Sequence, residues 1–153
     1  MNLYNNSHRE TWRVDAQTCR EENSEAFAGL HAANATPFYI FDEASAVPDK
    51  IWEVREGGLT DGEPMTFDWG NPTRNSGRFF ENMEGRFRHR LIRRSIDSRD
   101  VAITNKRLFE TWIEDYGIDS DFVKVRVLGQ FPSAGELQFI PGADVTKGVG
   151  LDV

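Results

Sequence analysis

The chain has 153 residues, 18 basic and 25 acidic, for a net charge of −7, which is one domain's length and excludes a uniformly basic nucleic-acid binder. No apolar run nears the ~20 residues that span a bilayer, and Met1 opens no secretory signal, so a membrane span is excluded. The single Cys19 excludes an internal disulfide and points to a reducing cytoplasm.

In chain order, Met1–His8 is polar and predicts a frayed end. Thr11–Ala16 alternates and predicts a short strand, and Glu21–Leu30 a short helical or irregular turn. Phe38–Phe41 is a continuous apolar run between Pro37 and Asp42, the pattern of a strand buried on both faces in a parallel sheet. A helix should follow, with Ser45 as N-cap, Pro48 in the first turn, Ile51, Trp52 and Val54 facing inward, and Gly57-Gly58 at its end. Met65–Trp69 predicts the next strand, Gly70-Asn71-Pro72 the turn at its tip, and Ser76–Met83 a helix. Leu91–Ile96 predicts a strand. Thr104 predicts the cap of a helix over Asn105–Tyr116, with Leu108, Phe109, Trp112 and Ile113 on one face and Gly117 as the stop. Val123, Val125 and Val127 alternate with Lys124 and Arg126, which favours a strand over Phe122–Leu128. Gly129–Val153 reads as loop or linker, with Leu137–Ile140 a candidate short strand. Strand and helix in alternation predict α/β layering.

Chemistry concentrates where the Phe38–Phe41 run meets Asp42-Glu43. Two carboxylates at the carboxyl end of an interior strand occupy the edge at which open α/β sheets bind ligands. ATP hydrolysis needs two different acids there. One serves the water shell of a magnesium ion, which suits Asp42; the other polarises or deprotonates the attacking water, which suits Glu43. Strand alternation would aim the two to opposite sides. An apolar run ending in a solvated acidic turn has the same sequence, so the pair alone does not decide.

The second motif lies at the tip of the next strand: Gly70-Asn71-Pro72-Thr73-Arg74-Asn75-Ser76-Gly77-Arg78-Phe79. An amide there can touch a terminal phosphate or the lytic water. The plain alternative is an Asn-Pro turn leading to a helix cap. Residues 78–99 hold seven Arg against three acids inside an otherwise acidic chain. Such an island is either a solvated, salt-bridged face or a contact for the phosphates of DNA or of a neighbouring subunit's nucleotide. Arg74, Arg78 and Arg99 are the candidate phosphate or trans-acting arginines. His8, His31 and His89 are scattered and give no zinc spacing, and Cys19 has no partner His nearby.

Phe41-Asp42-Glu43-Ala44-Ser45-Ala46-Val47-Pro48-Asp49 followed by Trp52-Glu53 resembles the Walker B segment of bacteriophage terminase large subunits. Gly70 to Phe79 resembles that family's coupling motif. Phe27-Ala28-Gly29-Leu30-His31, Ile96–Val101, Tyr116–Val123 and Gly129-Gln130-Phe131-Pro132 are similar in kind, so the resemblance runs over about residues 10–140. It implies a partial P-loop NTPase core of the ASCE type, α/β with a mainly parallel sheet and flanking helices. It implies an ATP-driven motor that packages viral double-stranded DNA in the host bacterial cytoplasm, as a homo-oligomeric ring with portal protein and small terminase subunit. Asp42 would then stand near Mg²⁺, Glu43 would be the catalytic carboxylate, and Gly70, Asn71, Pro72 and Thr73 would form the coupling motif. In the family, Phe122–Leu128 is more often helical, so that segment stays open between the two readings.

The chain departs from the family in one respect that bears on activity. It has no Gly-x-x-x-x-Gly-Lys-[Ser/Thr] and no Gly-Lys pair, so the cradle for phosphates is missing. Residues 1–135 are expected to be the second half of the ATPase domain, and 136–153 a linker toward an absent nuclease domain. Asp152 would be a lone nuclease carboxylate, and one acid cannot hold two metals. Neither Mg²⁺ nor ATP is expected to bind this chain tightly, and the chain alone is expected to be inactive although the family is an ATPase and endonuclease. Two other readings stay open: a non-catalytic prophage remnant serving as an interaction module, and a helicase-like P-loop ATPase fragment, against which the Gly70–Phe79 motif argues.

Overall fold

A computed structural model describes residues 2–18, 20–27, 36–60 and 62–133. The chain divides into two compact units, Met1–Trp69 and Gly70–Val153.

In the first unit, β1 (Asn2–Tyr4) pairs antiparallel with β2 (Arg13–Asp15). The strand expected at Thr11–Ala16 is therefore present, but the polar start is a paired strand and not a frayed end. The Asn5 amide donates to the Trp12 carbonyl (2.8 Å) and closes the hairpin, and Arg9 stacks over the Tyr4 ring at 4.2 Å. A 3₁₀ stretch, Glu21–Phe27, leads toward β3 (Phe38–Phe41). A 3₁₀ turn at Ala44–Ala46 then precedes α1 (Asp49–Gly58), and β4 (Met65–Asp68) returns parallel to β3 with Phe41 opposite Asp68. Ser45 sits buried in the 3₁₀ turn rather than capping the helix, and Pro48 stands at the N-cap. Proline's fixed φ suits that entry, and its missing N–H costs the helix nothing there.

One face of the β3–β4 pair carries the core of this unit. Tyr39 and Phe41 are buried there, as are Ile51 and Trp52 of α1. Phe41 meets Trp52 edge-on at 4.8 Å and Phe27 at 6.0 Å, contacts worth about 0.5–1.5 kcal/mol each beyond area burial. Gly58 ends α1 against Tyr39, whose hydroxyl occupies the space a Cβ would need. The expectation that β3 is buried on both faces does not hold among the described residues. Phe38 and Ile40 are each 55% exposed, and Phe67 and Trp69 also face outward. Among the described residues, helical elements cover the Tyr39–Phe41 side of this two-stranded sheet, and the opposite side of a pleated strand points away from them.

In the second unit, Ser76 precedes α2 (Gly77–Met83), and α3 (Lys106–Tyr116) is capped by Asn105, which accepts from the Leu108 amide at 3.2 Å. Thr104, the expected cap, instead donates to the Ser98 and Val101 carbonyls. Gly117, at φ 83°, stops α3 as expected. The strand expected at Leu91–Ile96 is absent. The segment has no regular secondary structure and pairs with no strand among the described residues, and Ile92 is 97% exposed. It is tied down at its far end, where Ser95 Oγ donates to the Gly129 carbonyl (2.6 Å).

Phe122–Leu128 is helical, not a strand. It runs from α4 (Asp121–Val123) into a π-helical turn over Lys124–Leu128. Ser120 caps it by accepting from the Val123 amide, and Val123 and Val127 are fully buried beside Phe109. Valines at i and i+4 satisfy both a strand's alternation and one helical face, and the cap together with the α3 surface selects the helix. Trp112 meets Phe122 edge-on at 5.3 Å, and Phe131 packs against Phe79 and Phe80. Mixed α/β structure with a small parallel sheet and flanking helices is thus present. Leu137–Ile140 and the 136–153 linker lie outside the described residues, as do Cys19 and His31.

Candidate functional site

The two acids sit beyond the last residue of β3, at the carboxyl edge of the parallel pair. Trp69, just after β4, holds the chain on either side of them. Its amide donates to the Phe41 carbonyl (2.8 Å), and its carbonyl accepts from the Ala44 amide (2.8 Å). Asp42 and Glu43 are therefore outside the ladder and exposed, while Phe41 and Ala44 on their flanks are buried. The Glu43 amide donates to Asp42 Oδ1 (2.9 Å).

Glu43 adopts φ 50°, ψ 40°, the left-handed conformation, and is the one non-glycine residue with positive φ among those described. For an L-residue this costs on the order of 1–2 kcal/mol. Such strain survives where the surrounding structure over-determines it, and functional sites are where it collects. The separation of the two carboxylates is therefore set by this turn and not by strand alternation.

Sequence reasoning missed the support beneath the acids. Arg55, in the last turn of α1, is only 2% exposed. Its guanidinium pairs with Asp68 at the end of β4 (2.5 Å, Asp68 side chain 9% exposed) and lies over the rings of Phe41 (4.8 Å) and Trp52 (4.5 Å). The signal was present in the spacing. Arg55 falls four residues after Ile51 and three after Trp52, on the buried face. This pair joins the helix to the strand residue opposite Phe41, which immediately precedes Asp42. Burial raises the Tyr39 phenol above its ordinary pKa, opposed by the Arg55 charge.

Gly70, Asn71, Pro72 and Thr73 open the second unit directly after Trp69. Pro72 is buried, Asn71 is exposed, and the Thr73 amide donates to the Asn71 carbonyl (2.8 Å). Of the candidate arginines, Arg74 is half-buried. Arg78 donates to Asn82 Oδ1 (3.1 Å) and covers the Phe87 ring. Arg99 is engaged by Asp97 through Nε (3.0 and 3.1 Å) and Nη2 (2.7 Å), contacts that hold the Asp97 carboxyl below its usual range.

Among the described residues no group of three or more His, Cys, Asp or Glu side chains could hold a metal. One or two carboxylates are nonetheless what a Mg²⁺ ion takes from a protein when waters and substrate phosphates complete its shell. Asp42 stands exposed at the strand edge where one such carboxylate would have to be, and nothing in the sequence supplies the phosphate cradle.

The chain is 30% identical over 145 residues to the probable terminase large subunit of Enterobacteria phage P7, a match taking in 87% of this chain and 28% of that protein. The chain thus spans less than a third of its relative's length. This likeness supports a stretch of terminase large subunit. No protein-family model matches the chain, and no solved structure matches it. No helix among the described residues is long and apolar enough to cross a membrane.

Proposed function

We propose that this stretch of terminase large subunit is the part of a P-loop ATPase core that carries the Walker B acids and the coupling motif of a viral DNA-packaging motor. The observation that carries the reading is the exposed Asp42-Glu43 pair at the carboxyl edge of a parallel sheet, with Glu43 held in the left-handed conformation. Asp42, whose Oδ1 is oriented by the Glu43 amide, keeps its other oxygen for waters around a Mg²⁺ ion. That ion, when bound with ATP, supplies charge neutralisation at the phosphates. Glu43 accepts a proton from, or orients, the attacking water. Asn71, two residues along the chain from Trp69, begins the segment that responds to hydrolysis. Double-stranded DNA, the portal and the small subunit are the partners this reading implies, in a homo-oligomeric ring in the host cytoplasm.

The intact relative from phage P7 provides the test. Alanine in place of the acid that aligns with Glu43 should lower ATP hydrolysis at least ~100-fold and leave nucleotide binding within about threefold. Hydrolysis kept within about threefold, roughly 0.65 kcal/mol of barrier, removes the general-base role. The 153-residue chain alone, lacking the cradle, should show negligible turnover. Turnover that Glu43→Ala abolishes would overturn that expectation.

A further inference from the structure

Arg55 bears on the acidic turn from both of its ends. Before the acids, its buried guanidinium lies 4.8 Å over the ring of Phe41, the residue that precedes Asp42. It also pairs at 2.5 Å with Asp68, which stands opposite Phe41 in β4 and next to Trp69 in the chain. After the acids, it lies 4.5 Å over Trp52, whose indole Nε1 donates to the Val47 carbonyl (3.2 Å). Val47 closes the 3₁₀ turn that begins at Ala44, its amide donating to the Ala44 carbonyl (3.3 Å). One planar cation is thus shared by the side chains that fix the chain ahead of residue 42 and behind residue 43.

The kind of residue at 55 fits that task. An apolar side chain would fill the site without the desolvation cost of an ion pair. Lysine could pair with Asp68 but has no flat face, and methionine could touch the rings but not hold the carboxylate. Arginine stacks with its face and donates from its edge. Glu43 needs such support, because a non-glycine residue stays in the left-handed region only where its surroundings over-determine it, and the end of a two-stranded sheet is where chains fray. We infer that Arg55 is the positioning residue of the acidic turn: through Phe41, Asp68 and Trp52 it holds Glu43 in the left-handed conformation and so sets the separation of the Asp42 and Glu43 carboxylates. It acts on no reacting atom. Its value to catalysis is placement, since an error of about 1 Å at a reacting group costs on the order of 100-fold in rate. The inference rests on the reading of the two acids as an ATPase pair, but its test reads only the conformation of the chain. Its failure would leave that reading to the hydrolysis assay in the phage P7 relative.

The experiment is solution NMR on the whole isotope-labelled chain, unaltered and as Arg55→Met and Arg55→Lys. The first readout is the Overhauser effect between the Glu43 amide proton and its own Hα, which is strong when φ is positive. The second is hydrogen exchange at the Ala44 and Trp69 amides, which make the two main-chain bonds that frame the turn. Arg55→Met should bring the Glu43 effect down to that of ordinary residues. It should also speed exchange at Ala44 and Trp69 about tenfold beyond any change shared by the amides inside α1, which report loss of global stability. Arg55→Lys keeps a charge for Asp68 without the flat face. It should show both changes in smaller measure, and it carries the test if Arg55→Met does not fold. A strong Glu43 effect in both variants overturns the inference, as does exchange that rises equally in α1 and in the turn, because the pair would then only stabilise the fold. A weak Glu43 effect in the unaltered chain overturns it as well.

Discussion

Replacing Asp68 with leucine should unfold the first unit at lower denaturant than any surface change in it. Arg55 is 2% exposed, and Asp68 is its ion-pair partner. Without Asp68 the guanidinium stays buried between two rings, and its Nε already lacks a hydrogen-bond partner. Breaking a buried pair by removing one member costs about 3–5 kcal/mol. The contacts with Phe41 and Trp52 survive and return none of that. Arg55→Met should cost less, because Asp68 lies nearer the surface and Thr66 Oγ1 already donates to it. The double variant, Arg55→Met with Asp68→Leu, should recover most of the loss, since apolar replacements of buried pairs are often neutral or better. The assay is urea unfolding of the whole chain followed by tryptophan fluorescence and far-ultraviolet circular dichroism, assembled into a double-mutant cycle. A coupling of about 2–4 kcal/mol is expected. Asp68→Leu within 1 kcal/mol of the parent would refute the reasoning, because the guanidinium would then be hydrated or re-paired.

Tyr39→Phe removes a buried hydroxyl that has no hydrogen-bond partner, so stability should hold or rise by up to about 1 kcal/mol; a loss larger than that in the same denaturation assay would reveal a partner. Gly58→Ala drives a Cβ into that hydroxyl and should destabilise by about 1–3 kcal/mol, with Tyr39→Phe restoring part of it. Glu43→Gly should raise stability by about 0.5–1 kcal/mol, since glycine takes positive φ without the steric cost and gives back only part of the gain in unfolded-chain entropy; a melting temperature that falls would remove the strain argument. The Asp97 carboxyl is held low chiefly by hydrogen bonding to Arg99. Its contribution is therefore present above the unfolded carboxylate pKa and fades as pH drops through the lower folded value. Asp97→Asn should flatten that acid limb in pH-dependent unfolding, and an unchanged limb would show that the contact is idle.

Much of this could be read from the residues in order. The Phe38–Phe41 run, the helix after it, the return strand at Met65 and the position of Asp42-Glu43 at a strand tip follow from apolar periodicity and punctuation. Leu91–Ile96 misled because its three apolar residues mimic a strand, whereas the arginines between them keep the segment in water. Phe122–Leu128 stayed open between strand and helix because i, i+4 valines serve two periods at once, and only packing against Phe109 separates them. The left-handed turn at Glu43 leaves no trace in composition, since glutamate rarely adopts it. Arg55 shares the helix face of Ile51 and Trp52, so its spacing pointed inward, but the partner that lets a charge stay there, Asp68, lies thirteen residues later. The run of arginines over residues 78–99 was visible as a charge island, yet the stacking of Arg78 on Phe87 comes from the fold.

The grip that Trp69 exerts on the acidic turn has a further consequence. It is made of main-chain atoms alone, while the indole is 60% exposed. Position 69 should therefore tolerate almost any substitution and still fasten the loop. Proline is the exception, because it has no amide hydrogen to give to Phe41. A library at this codon would leave one hole, and it would fall where the fastening is chemical and not steric.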